Sequence, residues 1–104
     1  IADCVKDKKC LLIASSDFTH YEAQGVASKK DSEAIKAILQ MDVPKLYSVI
    51  EDLDITMCGY GPVATMITAA KELNVKKGRL LQYATSGDIT GDYGSVVGYA
   101  SILF

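Results

Sequence analysis

The sequence predicts an α/β fold in which helices pack on a β-sheet. A short apolar run at residues 10–15 is typical of a strand that is buried on both faces. Three segments in the middle of the chain carry apolar residues at helical spacing. Residues 79–85 and 95–104 are both predicted to be strands, and the second of these runs is rich in the valine and aromatic residues that strands prefer. The chain of 104 residues has room for one domain.

The first half of the chain is expected to alternate short helices with turns. Residues 1–9 resemble the end of a helix and a charged turn. Residues 18–29 are mixed, and Gly25 is expected to interrupt any helix there. A helix is predicted from Asp31, with Asp31 or Ser32 as its N-cap. Its apolar face is formed by Ala34, Ile35, Ile38 and Leu39.

Two further helices are predicted before the last strands. One begins at Asp42 and tolerates Pro44 in its first turn, and the other follows the glycine-rich turn at residues 59–62. The loop at residues 86–94 contains Gly-Asp twice, which favours ordinary turns over an acidic loop beside a site. Nine apolar side chains are expected to be buried: Ile13, Ile35, Ile38, Leu39, Ile50, Met66, Ile67, Leu81 and Val97.

Composition argues against two classes of partner. The net charge is −2, from 11 basic and 13 acidic residues, so we expect no nucleic-acid partner. No apolar run approaches the roughly 20 residues that cross a bilayer, and five of the first ten residues are charged, so we expect neither a membrane span nor a signal peptide.

The first residue is Ile1, which suggests a fragment or a processed product.

The cysteine pattern favours a reducing, cytoplasmic location. Cys4, Cys10 and Cys58 cannot all pair within the chain, and they form no C-x-x-C motif. With one histidine in the whole sequence, a zinc-finger pattern is also excluded.

The end of the first predicted strand is the first candidate site. Ser15, Ser16 and Asp17 follow the apolar run, and His20, the only histidine, comes three residues after Asp17. Ligands commonly bind at the carboxyl ends of strands in open α/β sheets. The alternative is that these polar residues cap a following helix and that His20 has no chemical task.

Cys58 is the second candidate. It lies a few residues before a predicted helix N-terminus, where the helix dipole would stabilise a thiolate that is both a nucleophile and a soft metal ligand. The alternative is an inert cysteine beside a turn. If the site is real, Asp17, His20 and Cys58 should converge, with the His20 ring within about 12 Å of the sulfur.

Four blocks of sequence carry a resemblance to a known family. They are Ser15-Ser16-Asp17-Phe18-Thr19-His20-Tyr21, Met57-Cys58-Gly59-Tyr60-Gly61-Pro62, Tyr83-Ala84-Thr85-Ser86-Gly87-Asp88 and Val96-Val97-Gly98-Tyr99-Ala100. In this order and spacing they resemble the C-terminal part of the Memo family. The resemblance implies that residues 1–104 are the C-terminal portion of a single domain. It also implies a mixed sheet flanked by helices, as in the class III extradiol dioxygenases.

The resemblance also implies a metal site. In the family, two N-terminal histidines and the cysteine corresponding to Cys58 bind the metal, which we expect to be iron or copper. The histidine corresponding to His20 lies in the same cleft, where the dioxygenases keep an acid/base histidine, and Asp17 would line that cleft. This chain lacks the two N-terminal histidines, so the missing N-terminal part would have to supply them. A cysteine also replaces the carboxylate of the dioxygenases, which argues against ring cleavage.

The resemblance implies the first two of three candidate functions, and the residues by themselves suggest the third. The first is a metal-dependent, dioxygenase-like oxidoreductase. The second is a non-catalytic module that binds a peptide or small molecule in a vestigial cleft. The third is a hydrolase or transferase with Cys58 as nucleophile, His20 as base and Asp17 as the orienting acid, for which the sequence supplies no geometry. For the chain by itself we expect a large exposed apolar face, aggregation and weak metal binding.

Overall fold

A computed structural model describes all 104 residues and confirms the α/β class. Five helices and three strands follow one another along the chain. In order they are α1 (Ala2–Val5), β1 (His20–Glu22), α2 (Gln24–Leu39), α3 (Val43–Asp52), α4 (Tyr60–Glu72), β2 (Arg79–Thr85), α5 (Gly87–Thr90) and β3 (Val96–Leu103). No helix is both long and apolar enough to cross a membrane.

The three strands form one sheet in the order β1-β3-β2, and both pairings are antiparallel. The predicted strands at residues 79–85 and 95–104 correspond to β2 and β3. β1 was not predicted, and it is short and irregular. His20 pairs with Val97 and Glu22 with Val96, so Tyr21 is an extra residue in a β-bulge. Its φ of 60° lies in the left-handed region, which is uncommon for a residue other than glycine.

The predicted strand at residues 10–15 is wrong. This segment has no regular secondary structure and pairs with no strand of the chain. Leu11 and Ile13 are each 79% exposed, so the expected burial of Ile13 is wrong as well. An apolar run indicates that a segment can be buried, but burial also needs a covering surface, and here only one face of the segment is covered.

Helix α2 begins seven residues before the predicted start, so Asp31 and Ser32 are not its N-cap. Gly25, expected to interrupt a helix, lies in its first turn. The N-cap is Ala23, whose side chain makes no capping bond, and the N–H of Gln24 donates to the carbonyl of Tyr93 at 3.0 Å. A contact with a distant loop therefore supports the start of the helix, which local sequence preferences do not show.

Helix α3 starts where it was predicted, whereas α4 starts at Tyr60, within the glycine-rich turn that was expected to precede it. Asp42 caps α3 by accepting the backbone N–H of Lys45 at 2.9 Å, and a proline lies in the first turn. α4 follows Gly59, its N-cap. The loop after β2 folds into the short helix α5 and ends at Gly91, whose φ is 75°.

The core lies between the helices and one face of the sheet. Of the side chains expected there, Ile35, Ile38 and Ile67 are buried. Leu39, Ile50, Met66 and Val97 are half-buried. Leu81 is 50% exposed, so its predicted burial is wrong. The reason is that Leu81 belongs to the exposed first half of β2, which lies at an edge of the sheet.

The molecule is more extended and more exposed than a typical domain of its size. Its accessible surface is 6518 Å², whereas a folded protein of this mass exposes about 5,700 Å². The radius of gyration is 14.3 Å, against about 13 Å for a compact chain of this length. A groove of about 370 Å³, lined entirely by hydrophobic residues, follows residues 10–14, α4 and the end of β3. The unpaired segment therefore lines one exposed apolar groove.

Candidate metal centre

The structure brings Asp17, His20 and Cys58 together, although 38 positions separate the histidine from the cysteine. A carboxylate oxygen, an imidazole nitrogen and the sulfur all lie within 4.8 Å of one another. The His20 Nε2 and Asp17 Oδ2 atoms are 3.7 Å apart. The expected convergence of the three residues is confirmed, because these distances are less than half of the 12 Å that the prediction allowed.

Strand β3 holds the segment that carries the aspartate and the histidine. The N–H of Phe18 donates to the carbonyl of Gly98 at 2.9 Å, and the N–H of Gly98 donates to the carbonyl of Thr19 at 3.0 Å. Phe18 and Thr19 are buried between Asp17 and His20. Asp17 and His20 thus lie on either side of two buried residues whose backbone is hydrogen-bonded to β3.

The turn that carries Cys58 packs closely against the same segment. The N–H of Gly59 donates to the hydroxyl of Ser16 at 2.8 Å. A side chain at Gly59 would lie 2.5 Å from the Ser16 Cβ and 2.6 Å from the Ser15 carbonyl oxygen. Only glycine permits this approach. No helix follows Ser15-Ser16-Asp17 for it to cap; instead, Ser16 binds the backbone at the start of α4.

The sulfur of Cys58 accepts a polar contact from the aspartate segment. The N–H of Asp17 points to it at 3.4 Å, and the Ser16 hydroxyl lies 3.9 Å away. Cys58 is exposed and forms no disulfide bond. The sulfur therefore lies within reach of two polar groups of the segment that carries Asp17.

The imidazole of His20 is oriented by the residue two positions before the cysteine. Its Nδ1 atom lies 2.7 Å from the carbonyl oxygen of Thr56, and the Thr56 hydroxyl accepts the backbone N–H of His20 at 2.8 Å. A carbonyl can only accept, so this contact assigns the proton to Nδ1 and leaves the Nε2 lone pair open in the neutral ring. Metal-binding histidines are typically oriented in this way.

The three side chains form an open site. The side chains of His20 and Asp17 are 24% and 46% exposed. Two cavities of about 520 and 510 Å³ both border Tyr47, and neither contains a residue of the cluster. The chain by itself therefore does not enclose the cleft that the resemblance implies.

The donors present fit a transition-metal ion. A thiolate and an imidazole suit iron and copper, and a carboxylate adds negative charge. Atoms bound to one ion at about 2.0–2.3 Å lie at most about 4.5 Å from each other. The three donors, which lie within 4.8 Å of one another, are therefore close to the spacing that a single ion requires. Three donors leave room in the coordination sphere for further ligands.

Sequence reasoning missed two residues behind the site. Thr56 was not considered, although it is a polar residue in the otherwise apolar stretch before Cys58, and such a residue could have indicated a functional role. Asp31, expected as a helix cap, lies in the middle of α2 and is fully buried. It occupies the helix face shared by Ala27, Ala34, Ile35 and Ile38, and an acidic residue on an apolar stripe could have marked it.

Asp31 joins the site segment to the sheet. One carboxylate oxygen accepts the backbone N–H of Thr19 at 3.0 Å, and the other accepts the hydroxyl of Tyr83 at 2.7 Å. Burial, followed by the hydrogen bond and the negative charge of Asp31, raises the pKa of Tyr83 well above its ordinary value. Tyr83 therefore remains a hydrogen-bond donor over the whole physiological range.

Comparison with known proteins supplies the family. Residues 1–103 match the family model described as Memo-like protein. A MEMO1 family protein of Methanocaldococcus jannaschii is 56% identical over 97 residues, which cover 93% of this chain and 34% of that protein. Relatives from Nitrosopumilus maritimus and Methanococcoides burtonii are 48% and 52% identical over 100% and 99% of this chain, and 38% and 39% of their own lengths. The chain thus spans little more than a third of these relatives, and it belongs to the Memo-like protein family.

Proposed function

We propose that Cys58 is a ligand of a redox-active metal ion, iron or copper, and that His20 and Asp17 act beside it. The observation that carries this proposal is the cluster of three donors within 4.8 Å, with the imidazole oriented by the Thr56 carbonyl. A surface histidine with no functional role would not need a ring orientation that is fixed by a hydrogen bond. Thiolate and imidazole together favour copper or iron over magnesium or calcium.

The three residues would have different roles. Cys58 binds the ion through its sulfur. His20 accepts or donates a proton at Nε2, and the carboxylate of Asp17, 3.7 Å from that nitrogen, stabilises the protonated ring. When bound, the metal supplies Lewis-acid or one-electron chemistry. The reaction class that fits is a dioxygenase-like oxidoreduction of a small molecule.

A complete site would need ligands from outside this chain. The chain spans 34% to 39% of the relatives compared, and we propose that the remaining, N-terminal part of such a protein supplies two histidines. Residues 1–104 would then be the C-terminal portion of a single domain. The same part would cover the apolar groove and pair with residues 10–15, which have no strand partner. The three free cysteines support a cytoplasmic location.

A second candidate is a module that binds a peptide or a small molecule without turnover. It is favoured by the exposure of the site and by Tyr21, a residue that is 78% exposed. This ring meets the His20 ring edge-on, with 5.9 Å between centroids. A surface aromatic beside polar groups is typical of recognition sites. Binding of a ligand at unchanged affinity in the metal-free protein would favour this function.

The geometry argues against a cysteine-dependent hydrolase. In a Cys–His–Asp triad the acid orients the ring through the nitrogen that does not face the nucleophile. Here the Thr56 carbonyl occupies Nδ1, and Asp17 faces Nε2. Asp17 therefore cannot act as the orienting acid in the arrangement observed.

Metal titration of cysteine variants tests the proposal. Anaerobic Fe(II), and Cu(I) buffered by a competing chelator, would be titrated into the chain and into its Cys58→Ser and Cys10→Ser variants. Cys10 is a matched control because it is also exposed and free but lies outside the cluster. We expect Cys58→Ser to weaken binding at least about tenfold, and Cys10→Ser to change it less than about twofold. Equal effects of the two substitutions would refute a specific role for Cys58.

A further inference from the structure

The carboxylate of Asp31 is fully buried and has no cationic partner. Its residue is 0% exposed, and none of the ion pairs in the chain includes it. Burying a carboxylate among apolar residues is costly unless its oxygens are hydrogen-bonded. The helix face that contains Asp31 is otherwise formed by alanine and isoleucine, which would bury at no such cost. The carboxylate therefore has a task that an apolar residue could not perform.

The contacts of Asp31 indicate that task. It accepts the backbone N–H of Thr19, the residue immediately before His20. The carbonyl of Thr19 is bound by the N–H of Gly98, and the N–H of His20 is bound by the Thr56 hydroxyl. Consecutive backbone groups leading into the histidine are thus all held. Of these three contacts, only the one from Asp31 comes from a helix, α2.

The surroundings of the carboxylate are shaped to fit it. A side chain at Gly98 would overlap with the Asp31 Oδ2 atom and would lie 3.0 Å from the Tyr83 hydroxyl oxygen. The carboxylate therefore lies directly against the backbone of β3, where only glycine leaves room. The Tyr83 hydroxyl satisfies the oxygen that Thr19 does not use.

We infer that Asp31 is the positioning residue for His20: its hydrogen bond to Thr19 holds the backbone so that the ring meets the Thr56 carbonyl through Nδ1. The histidine consequently keeps one neutral tautomer and one orientation in the site. Tyr83 acts through Asp31 by keeping the carboxylate in place. The consequence for metal affinity rests on the proposed function, whereas the consequence for the tautomer does not.

Nitrogen NMR of the ring tests the inference without any metal. His20 is the only histidine, so its two ring nitrogens give a single, unambiguous pair of signals. At pH 9, to observe the neutral ring, we expect one tautomer with the proton on Nδ1. Asp31→Ala should produce a mixture of tautomers. Asp31→Asn should restore the single tautomer, because its amide oxygen can accept from Thr19 while its NH₂ group donates to the Tyr83 hydroxyl.

A control variant separates positioning from stability. Ile38 is buried on the same helix but contacts neither Thr19 nor the carboxylate through a hydrogen bond. Ile38→Ala should destabilise the fold and leave the tautomer unchanged. A single Nδ1–H tautomer in folded Asp31→Ala would overturn the inference. A mixture in Ile38→Ala equal to that in Asp31→Ala, or a failure of Asp31→Asn to restore the signal, would overturn it as well.

Metal titration supplies the second readout. If Cys58 binds metal as proposed, Asp31→Ala should weaken binding about tenfold and Asp31→Asn less than about threefold. If the wild-type chain binds no metal but Asp31→Ala mixes the tautomers, the proposed function fails and the positioning role stands. If Asp31→Ala does not fold, Tyr83→Phe decides, since it removes only the hydroxyl. An unchanged tautomer ratio in that variant would then overturn the inference.

Discussion

Two adjacent segments of this chain differ in how they are held. Residues 10–14 are apolar, yet Leu11 and Ile13 are each 79% exposed. Residues 16–20 are mostly polar, yet Phe18 and Thr19 are 3% and 0% exposed. The first segment has no strand partner, whereas the second is bound by β3, by α2 and by the turn before α4.

The difference shows that apolarity alone does not decide burial. A segment is buried where other elements satisfy its backbone groups and cover its side chains. Every backbone N–H from Asp17 to His20 has a partner in the chain: Cys58, Gly98, Asp31 and Thr56 accept these bonds in turn. The candidate metal centre is thus built on a segment whose backbone N–H groups all have partners within the chain.

The largest expected effect is the difference in stability between substituting a buried isoleucine and substituting an exposed one. Ile38→Ala should lower the free energy of unfolding by about 3–4 kcal/mol, because it leaves a cavity in the core. Ile13→Ala should change it by less than about 0.5 kcal/mol. Chemical denaturation of both variants measures the difference. Similar losses would show that residues 10–14 are packed as well as the core.

Gly98 should tolerate no side chain. Gly98→Ala would push the carboxylate of Asp31 away from Thr19 and Tyr83, and we expect a loss of about 2–3 kcal/mol in the free energy of unfolding. Gly25→Ala is the control, because a methyl group there meets nothing within 4 Å and alanine favours the helix. That variant should be neutral or slightly more stable. A loss below about 0.5 kcal/mol in Gly98→Ala would contradict the close packing of the network.

The bulge beside the histidine should release strain when a glycine replaces its tyrosine. Tyr21 has a φ of 60° and is 78% exposed, so Tyr21→Gly loses little packing and removes an unfavourable backbone conformation. We expect a gain of up to about 1 kcal/mol in thermal or chemical unfolding. Tyr99→Gly, at an exposed position of β3 with ordinary φ, should instead be destabilising. A loss of stability in both variants would mean that the Tyr21 ring holds the segment.

The smallest expected effect is a loss of stability at alkaline pH. The pKa of Tyr83 is raised in the folded protein, so above the ordinary tyrosine value near 10 the unfolded chain loses this proton first. The contribution of Tyr83 is fully present below that value and is lost as pH rises towards the raised pKa. Because Tyr83 is half-buried, screening by solvent keeps the effect modest.

The alkaline loss of stability that Tyr83 causes is measured by comparing the wild type with the Tyr83→Phe variant. Chemical denaturation between pH 8 and 11 should show a smaller alkaline loss in Tyr83→Phe than in the wild type. Tyr47→Phe, at an exposed tyrosine, serves as the control for the other phenols and should follow the wild type. Parallel curves for the wild type and Tyr83→Phe would indicate that the contact with Asp31 does not persist in solution.

Local patterns predicted those parts of the fold that depend on local interactions. Helices α3 and α4 follow from apolar spacing and a capping aspartate, and strand β3 follows from a run with valine and aromatic residues. The early start of α2 depends on a contact with the distant Tyr93, and the exposure of residues 10–14 depends on the absence of a covering element. No local pattern records either fact.

The site was only partly predictable for the same reason. Asp17, His20 and Cys58 were identified from residue type and position, and the structure brings them together. Thr56 and Asp31 were not identified, because each acts through hydrogen bonds to residues that are distant in the sequence. Chemistry-bearing side chains can be recognised in a sequence, whereas the residues that orient them depend on the tertiary fold.

X-ray absorption at the metal edge tests the central claim most directly. The chain loaded with one equivalent of Cu(I) or Fe(II) should show one sulfur neighbour at about 2.3 Å. That signal should disappear in Cys58→Ser and remain in Cys10→Ser and Cys4→Ser, since those cysteines lie outside the cluster. A sulfur neighbour that persists in Cys58→Ser, or coordination by nitrogen and oxygen alone in the wild type, would contradict Cys58 as the ligand.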